Sequence, residues 1–276
     1  MATRPADYQH KSVKGSVYYA IAGKEPLYFL IDPPAGKPET NVEFFEHVVP
    51  IRDARQSRDA FRIDVEGAVI IQHQSAVRDF YNDEELRQVG YAEAAEIVRT
   101  LTGARHVVVF DHNVRRAGSA ARAEHTSSQK PVFHAHIDFT EDSAPIRARM
   151  ELGSLVMIGR RIAALNVWRP ISAPVRDSPV ALCDASSVSS DDLIPTALLY
   201  SHRKGEIYYL KFNGAHRWWY LPEMQRDEVW VFKNFDSATD GRARFTPHTA
   251  FNETTQEAPT PQRESVEFRT FAVFAD

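Results

Sequence analysis

The chain has 276 residues, 43% of them hydrophobic, and a formal net charge of −4. This charge gives no electrostatic reason to expect nucleic acid or an anionic membrane as a partner, and the single cysteine, Cys183, excludes an intrachain disulfide and a cysteine-rich zinc site. Residues 1–10 lack an apolar signal core and no apolar run reaches membrane-spanning length, so we expect a cytoplasmic protein.

The first third of the chain combines short strands with one helix. Residues 1–13 are polar and predict a poorly ordered tail, and extended segments are predicted at 16–20, 27–31, 41–50 and 61–71. A helix is predicted between Asp79 and Leu101, with Asn82 as N-cap and acidic residues in the first turn. Gly103 is the expected stop and Gly90 a point where the helix could divide.

The middle of the chain alternates regular and irregular stretches. Regular elements are predicted as strands at 107–110, 132–140 and 162–168 and as a helix at 144–155. Residues 115–130 are basic and rich in Ala, Gly and Ser, which predicts a mobile loop long enough to serve as an active-site lid. Residues 170–195 are rich in Pro, Ser and Asp and are predicted to be irregular.

The C-terminal third is the most strongly β-type part of the chain. Short spacers with Gly, Asn, Asp and Pro separate strand-like runs at 207–212, 216–220, 228–232, 244–251 and 266–274. This pattern is typical of a sandwich or a jelly roll. We therefore predict a mainly β fold with flanking helices, built as one jelly-roll, cupin-like barrel.

A possible metal site lies on the predicted central strand. Side chains alternate faces along a strand, so His136 and Asp138 are expected to point the same way. His248, from a strand far downstream, would complete a set of two histidines and one carboxylate. Such a set leaves open coordination positions and suits non-haem Fe(II) in oxygen chemistry.

An Arg-x-Ser pair near the C-terminus suggests a site for an organic acid. The guanidinium of Arg263 could bind a carboxylate through two nitrogens, with the hydroxyl of Ser265 as a further donor. Arg269 competes for this role because a six-residue offset places it on the same side of a strand. We favour Arg263 because Ser265 shares its face.

Other histidines leave alternatives open. His134 is expected to share a face with His136, and a cupin could bind its metal through His134, His136 and His248, with Asp138 fixing a tautomer. The downstream Arg-x-Ser pair favours the set with Asp138. His134 is then expected either as a pocket residue in contact with substrate or as a residue behind the metal ligands. His112 is a weaker ligand candidate, better explained as a polar residue at the end of a strand.

The metal-site motif, the Arg-x-Ser pair and several further segments resemble those of a known group of proteins, the Fe(II)/2-oxoglutarate oxygenase-like family. That group contains gibberellin-desaturase-like proteins, natural-product hydroxylase/desaturases and a protein associated with cephalosporin 7α-methoxylation. The resemblance runs from about residue 100 to the end and rests on segments 102–104, 109–112, 136–138, 166–170, 181–184, 219–220, 227–228, 235–237, 247–251 and 263–269.

The resemblance implies a double-stranded β-helix with Fe(II) on the histidine and aspartate set. It also implies 2-oxoglutarate bound through its distal carboxylate by Arg263 and Ser265. Asn166 is expected beside this co-substrate, and Trp168 and Arg169 beside a small natural-product substrate that reacts with O2. The carboxylate at Asp138 occupies the position that halogenases leave open for chloride, which favours hydroxylation, desaturation, epoxidation or ring formation over halogenation.

Rival functions remain open at the level of sequence. An iron oxidase of the same fold could use Arg263 and Ser265 for a carboxylate of its own substrate, and a jelly-roll binding module would need no metal.

We expect a single oxygenase domain over residues 1–276, with N-terminal strands and a supporting helix in 1–104. A jelly-roll core then follows in 105–276, with an insertion near 170–200. The sequence permits a homodimer without requiring one.

Overall fold

The computed structural model describes residues 11–31, 33, 38–116, 130–155, 161–172, 174–253 and 262–275. Its strands are β1 (Ser12–Ala20), β2 (Leu27–Leu30), β3 (Phe44–Asp53), β4 (Ala68–Gln72), β5 (His106–Arg116), β6 (His136–Ile137), β7 (Ile162–Pro170), β8 (Val180–Cys183), β9 (Leu193–Leu199), β10 (Lys204–Leu210), β11 (Trp218–Tyr220), β12 (Glu228–Asp236), β13 (His248–Ala250), β14 (Asn252–Glu253) and β15 (Glu264–Val273). The α-helices are α1 (Asp83–Glu85), α2 (Tyr91–Thr102) and α3 (Ser143–Leu152).

Two sheets form the barrel. The larger has ten strands in the order β14-β1-β3-β11-β8-β13-β6-β10-β9-β2, and the smaller has five in the order β4-β12-β7-β15-β5. Strands β6 and β13 lie side by side in the large sheet, although more than a hundred residues separate them in sequence. Side chains of the small sheet reach across to this pair of strands, which places the candidate site between the sheets.

The predicted helix forms against the outer face of the small sheet. The Asn82 side chain accepts a hydrogen bond from the Glu85 backbone N–H at 3.1 Å, as expected of an N-cap. A wider, π-type turn at Leu86–Gly90 then joins α1 to α2 without breaking the helix. Gly103 ends the helix with φ of 69°, a left-handed conformation that favours glycine.

The apolar core is divided by the sheets. Its largest cluster packs α2 against the small sheet, through buried side chains such as Val98, Val167 and Phe268. A second cluster surrounds Trp218 inside the large sheet, so this aromatic residue belongs to the core. No α-helix among the described residues combines the length and apolarity needed to cross a membrane.

Several predicted element boundaries were wrong. The strand expected at 132–140 is reduced to His136–Ile137, because the Asp138 backbone N–H donates to the Asn234 side chain (2.9 Å) rather than to a neighbouring strand. The segment 170–195 contains β8 and the start of β9. The predicted lid falls mostly on residues 117–129, outside the described part of the chain. The division into 1–104 and 105–276 stays a prediction, although β1 and β3 join the same sheet as β13.

Candidate metal and co-substrate site

Three side chains converge between the two sheets. His136 in β6, Asp138 just after it and His248 at the start of β13 each offer one ligand atom, and these atoms lie within 4.8 Å of one another. Asp138 Oδ1 is 3.6 Å from His136 Nε2 and 3.9 Å from His248 Nε2. The cross-strand pairing of His136 with His248 brings the two imidazoles together.

Both imidazoles are oriented by backbone carbonyls. His136 Nδ1 lies 2.8 Å from the His134 carbonyl oxygen, and His248 Nδ1 lies 3.4 Å from that of Thr246. A carbonyl only accepts, so each Nδ1 carries the proton and each Nε2 presents a lone pair. Burial first, and then the nearby His136, lower the pKa of His248 to about 3, which keeps this ring in the neutral form that binds a metal.

The Asp138 carboxylate is held by two further side chains. Its Oδ2 accepts hydrogen bonds from Asn166 Nδ2 at 2.8 Å and from Arg269 Nε at 3.0 Å. Burial alone would raise the pKa of Asp138, but the positive charge of Arg269 outweighs burial and holds this pKa well below its ordinary value. The carboxylate is therefore ionised and ready to bind a cation.

A cavity adjoins this group. Its walls come from both sheets and from the segment before β6, and they comprise Arg115, Val132, His136, Trp168, Val180, His248, Thr249, Ala250, Arg263 and Glu267. The guanidinium of Arg263 lies 5.6 Å from the centre of the Trp168 ring. The same cavity is thus lined by both histidines of the convergent group and by a buried cation, the guanidinium of Arg263.

Among the described residues, the buried guanidinium of Arg263 has no anionic partner. Its Nη1 donates to the Ser178 carbonyl oxygen, but Nε makes no hydrogen bond within the described residues, and neither does the buried hydroxyl of Ser265. Burial, followed by the positive charge of Arg115, lowers the pKa of Arg263 to about 9. A desolvated guanidinium with a donor that lacks an acceptor is a favourable place for a carboxylate, whereas Ser265 is not among the residues of the cavity wall.

Comparison with known proteins identifies the family. A family model described as an oxidoreductase/YMDC permease-like domain matches residues 17–274. The Fe(II)/2-oxoglutarate-dependent dioxygenase nvfI of Aspergillus novofumigatus is 30% identical over 255 residues, covering 89% of this chain and 90% of that protein. The chain belongs to the Fe(II)/2-oxoglutarate-dependent dioxygenase family.

Further similarities agree with this assignment. The hydroxylase/desaturase CTB9 of Cercospora beticola is 28% identical over 309 residues, covering 99% of this chain and 92% of that protein. A solved structure of the iron and alpha-ketoglutarate-dependent endoperoxidase NvfI superimposes with a TM-score of 0.86 at 27% identity, over 96% of this chain and 99% of that chain. The predictions of a jelly-roll fold, of an oxidoreductase and of Fe(II) and 2-oxoglutarate as cofactors are confirmed.

The two competing arginines of this dioxygenase have different neighbours. Arg263 lines the cavity, whereas Arg269 contacts Asp138, Asp111 and Glu267 at 3.0–3.2 Å and is absent from the cavity wall. Each of the three guanidinium nitrogens of Arg269 is thus turned towards a carboxyl group of the protein. Arg263 is the arginine available to an added acid.

Not all predicted pocket residues reach the site. Trp168 lines the cavity, but Asn166 contacts Asp138 instead of the cavity wall. Arg169 points to the opposite face of β7, where its guanidinium donates to the carbonyl oxygens of Arg226 (2.6 Å) and His73 (2.9 Å). The expectation of substrate contact through Arg169 therefore does not match its position, because neighbouring residues on a strand face opposite ways.

His134 also lies apart from the convergent ligands. Its ring stacks on Phe44 with centroids 3.7 Å apart and meets the edge of Tyr209. Only its backbone carbonyl takes part, through His136 Nδ1. The His134 ring is thus not placed to complete the cupin-type set with His136 and His248, and it is not part of the cavity wall. His112 is likewise engaged elsewhere, with Tyr91 and Asp83.

Two charged cavity residues were missed by sequence reasoning. Glu267 shares a face of β15 with Ser265, and burial raises the pKa of its carboxyl. Alternation along this strand was the signal that could have revealed it. Arg115 is the cross-strand partner of Ser265. It fell within the predicted lid, and no local pattern could show its pairing with a strand so far downstream.

Proposed function

We propose that this dioxygenase oxidises a small, natural-product-type substrate with O2, by hydroxylation or desaturation. In this proposal His136, Asp138 and His248 hold Fe(II), and Arg263 with Ser265 binds the distal carboxylate of 2-oxoglutarate. The observation that carries the proposal is the shared cavity, which joins the convergent histidines to a buried arginine whose Nε has no acceptor among the described residues. The Cercospora beticola relative, described as a hydroxylase/desaturase, supports the reaction type.

The donor set fits ferrous iron. Two neutral imidazole Nε2 atoms and one carboxylate oxygen are the ligands of a facial triad that leaves positions open. The carbonyls behind His136 and His248 prevent the rings from turning those nitrogens away. The Asp138 carboxylate is ionised, so no proton must leave it before a metal binds.

The co-substrate pocket fits a dicarboxylic acid. The free Nε of Arg263 and the hydroxyl of Ser265 are buried donors that lack acceptors among the described residues. An added carboxylate would satisfy both and would neutralise the guanidinium. Trp168 supports the guanidinium plane from one side, which fixes the direction of its donors.

When bound, Fe(II) and 2-oxoglutarate supply the oxidation, in which the oxo acid is decarboxylated to succinate and CO2 as O2 is consumed. The chain orients and encloses these reactants. Arg263 and Ser265 fix the far end of the co-substrate, while apolar walls such as Val132, Val180 and Ala250 limit the entry of water. A cytoplasmic location, one domain and a homodimer are retained as part of the proposal.

An anaerobic titration of the Fe(II)-loaded protein with 2-oxoglutarate tests this proposal. We expect a saturable visible charge-transfer band in the wild type, no band in Asp138→Ala, and 2-oxoglutarate affinity lower by about 100-fold in Arg263→Ala, as for other buried charge pairs. Arg169→Lys is the matched control, because this buried arginine lies outside the cavity, and its band should equal that of the wild type.

The other outcomes identify the rivals. Iron binding without a band in the wild type would favour the oxidase that uses no 2-oxoglutarate, with Arg263 and Ser265 holding the substrate's own carboxylate. Absence of iron binding would contradict the ligand assignment and would favour a binding module. An unchanged affinity in Arg263→Ala would remove this arginine from the proposed co-substrate site.

A further inference from the structure

The two oxygens of Asp138 face different partners. Oδ1 points to the Nε2 atoms of His136 (3.6 Å) and His248 (3.9 Å). Oδ2 accepts one hydrogen bond from Asn166 (2.8 Å) and another from Arg269 (3.0 Å). A carboxylate oxygen has two lone pairs in its plane. Oδ2 is therefore fully used, and only Oδ1 is directed to the place where the imidazoles meet.

The two donors are fixed by the small sheet. Asn166 in β7 and Arg269 in β15 are directly paired across the strands, and Asp111 in β5 is paired with Arg269 on the other side. Arg269 Nη1 contacts Asp111 Oδ2 at 3.2 Å, and Nη2 contacts Glu267 Oε1 at 3.2 Å. Nη1 is hydrogen-bonded to Asp111 and Nη2 is in ion-pair contact with Glu267, and in this position the planar guanidinium directs its Nε–H at Asp138.

We propose that Arg269 and Asn166 are positioning residues that restrict Asp138 to binding the iron through the single oxygen Oδ1. The inference rests on the ligand set of the proposed function. A second oxygen from Asp138 would occupy one of the open positions of the facial triad. Two donors on Oδ2 prevent that mode, so the open positions stay available to the co-substrate.

A lysine at position 269 separates geometry from charge. Lysine keeps the positive charge beside Asp138, but its single ammonium cannot reach Asp111, Asp138 and Glu267 along the directions that the guanidinium fork uses. If only the charge mattered, Arg269→Lys would resemble the wild type. If the directed Nε–H matters, Arg269→Lys should behave like Asn166→Ala, which removes the second donor without changing any charge.

The experiment is an anaerobic titration of metal-free protein with Co(II), followed by its visible absorption spectrum. We expect Arg269→Lys and Asn166→Ala each to weaken Co(II) binding by about 10- to 100-fold, as found for groups that orient metal ligands. We also expect an altered Co(II) spectrum, because the aspartate gains a second coordination mode. Arg161→Lys is the matched control, since Arg161 forms a two-nitrogen pair with Asp236 (2.9 and 2.6 Å) away from the ligand group.

A purely structural role for these residues predicts a different result. Thermal stability would then fall in all three variants, while the Co(II) affinity and spectrum of the folded protein stayed at wild-type values, and that result would overturn the inference. If Arg269→Lys does not fold, Asn166→Ala decides alone. The titration needs no 2-oxoglutarate. The two proposals can therefore fail separately. If the variants bind Co(II) more weakly but the wild type gives no band with 2-oxoglutarate, the inference stands and the proposed function is contradicted.

Discussion

His134 and His136 are two residues apart in sequence, yet their rings have different surroundings. The His134 ring stacks on Phe44 at an interplanar angle of 8°, while His136 Nε2 faces Asp138. The alternation argument that placed both on one face requires a continuous strand. Here the strand begins only at His136, so the rule does not extend back to His134. Spacing alone therefore could not choose between the two ligand sets.

The replacement His134→Phe distinguishes these ligand sets experimentally. Phenylalanine can keep the stack on Phe44, and the backbone carbonyl that orients His136 is unchanged. We expect Fe(II) affinity equal to that of the wild type in His134→Phe and a severe loss in Asp138→Ala, measured by equilibrium dialysis with metal analysis. The reverse order of affinities would point to the cupin-type set.

The elements that hold the site were the hardest to predict. The helix ending at Gly103 was readable because its cap, periodicity and stop are all local signals. Strands β6, β8 and β13 have two to four residues each and are too short to show alternation. Their stability comes from partners far away in sequence. The proposed ligand residues, which the structure brings together, were selected through their chemistry and order. Arg115 needed the β5–β15 pairing, which only the fold supplies.

Close packing between the helix and the small sheet yields a prediction for Gly90. A Cβ at this position would lie 2.8 Å from Phe268 Cζ, so Gly90→Ala forces the ring or the helix to move. We expect a loss of about 1–3 kcal/mol in the free energy of unfolding, as for other overpacked sites. Denaturant unfolding measures it, with Gly214→Ala as a control that meets nothing within 4 Å.

A double-mutant cycle checks that the loss arises at this contact. Phe268→Leu shortens the ring side chain, so adding Gly90→Ala to it should cost less than it does in the wild type. Phe268 lies between Glu267 and Arg269 in β15. The helix therefore packs against the outer face of β15, the strand that carries the proposed positioning residue Arg269. Equal costs in both backgrounds would show that Phe268 is not the obstacle.

At the scale of the whole molecule, folding places several histidines where they stay neutral. Burial, with a contribution from His136, lowers the pKa of His134 to about 4 and that of His248 to about 3. In the unfolded chain both would have pKa values of about 6.5. Below that pH the unfolded chain binds protons that the folded chain does not. The metal-free protein should therefore lose stability as the pH falls from about 6.5 towards 4.

His134→Phe again supplies the comparison that isolates one group. This replacement removes one titrating ring, so the free energy of unfolding of the variant should fall less steeply with decreasing pH than that of the wild type. The difference in slope corresponds to about one proton fewer taken up on unfolding. Glu267, whose pKa burial raises, acts in the opposite direction, but it is present in both proteins and cancels in the difference. Denaturant unfolding at several pH values between 7 and 5, in the presence of a chelator, gives both slopes. Parallel slopes would mean that His134 takes up its proton in the folded state as readily as in the unfolded chain.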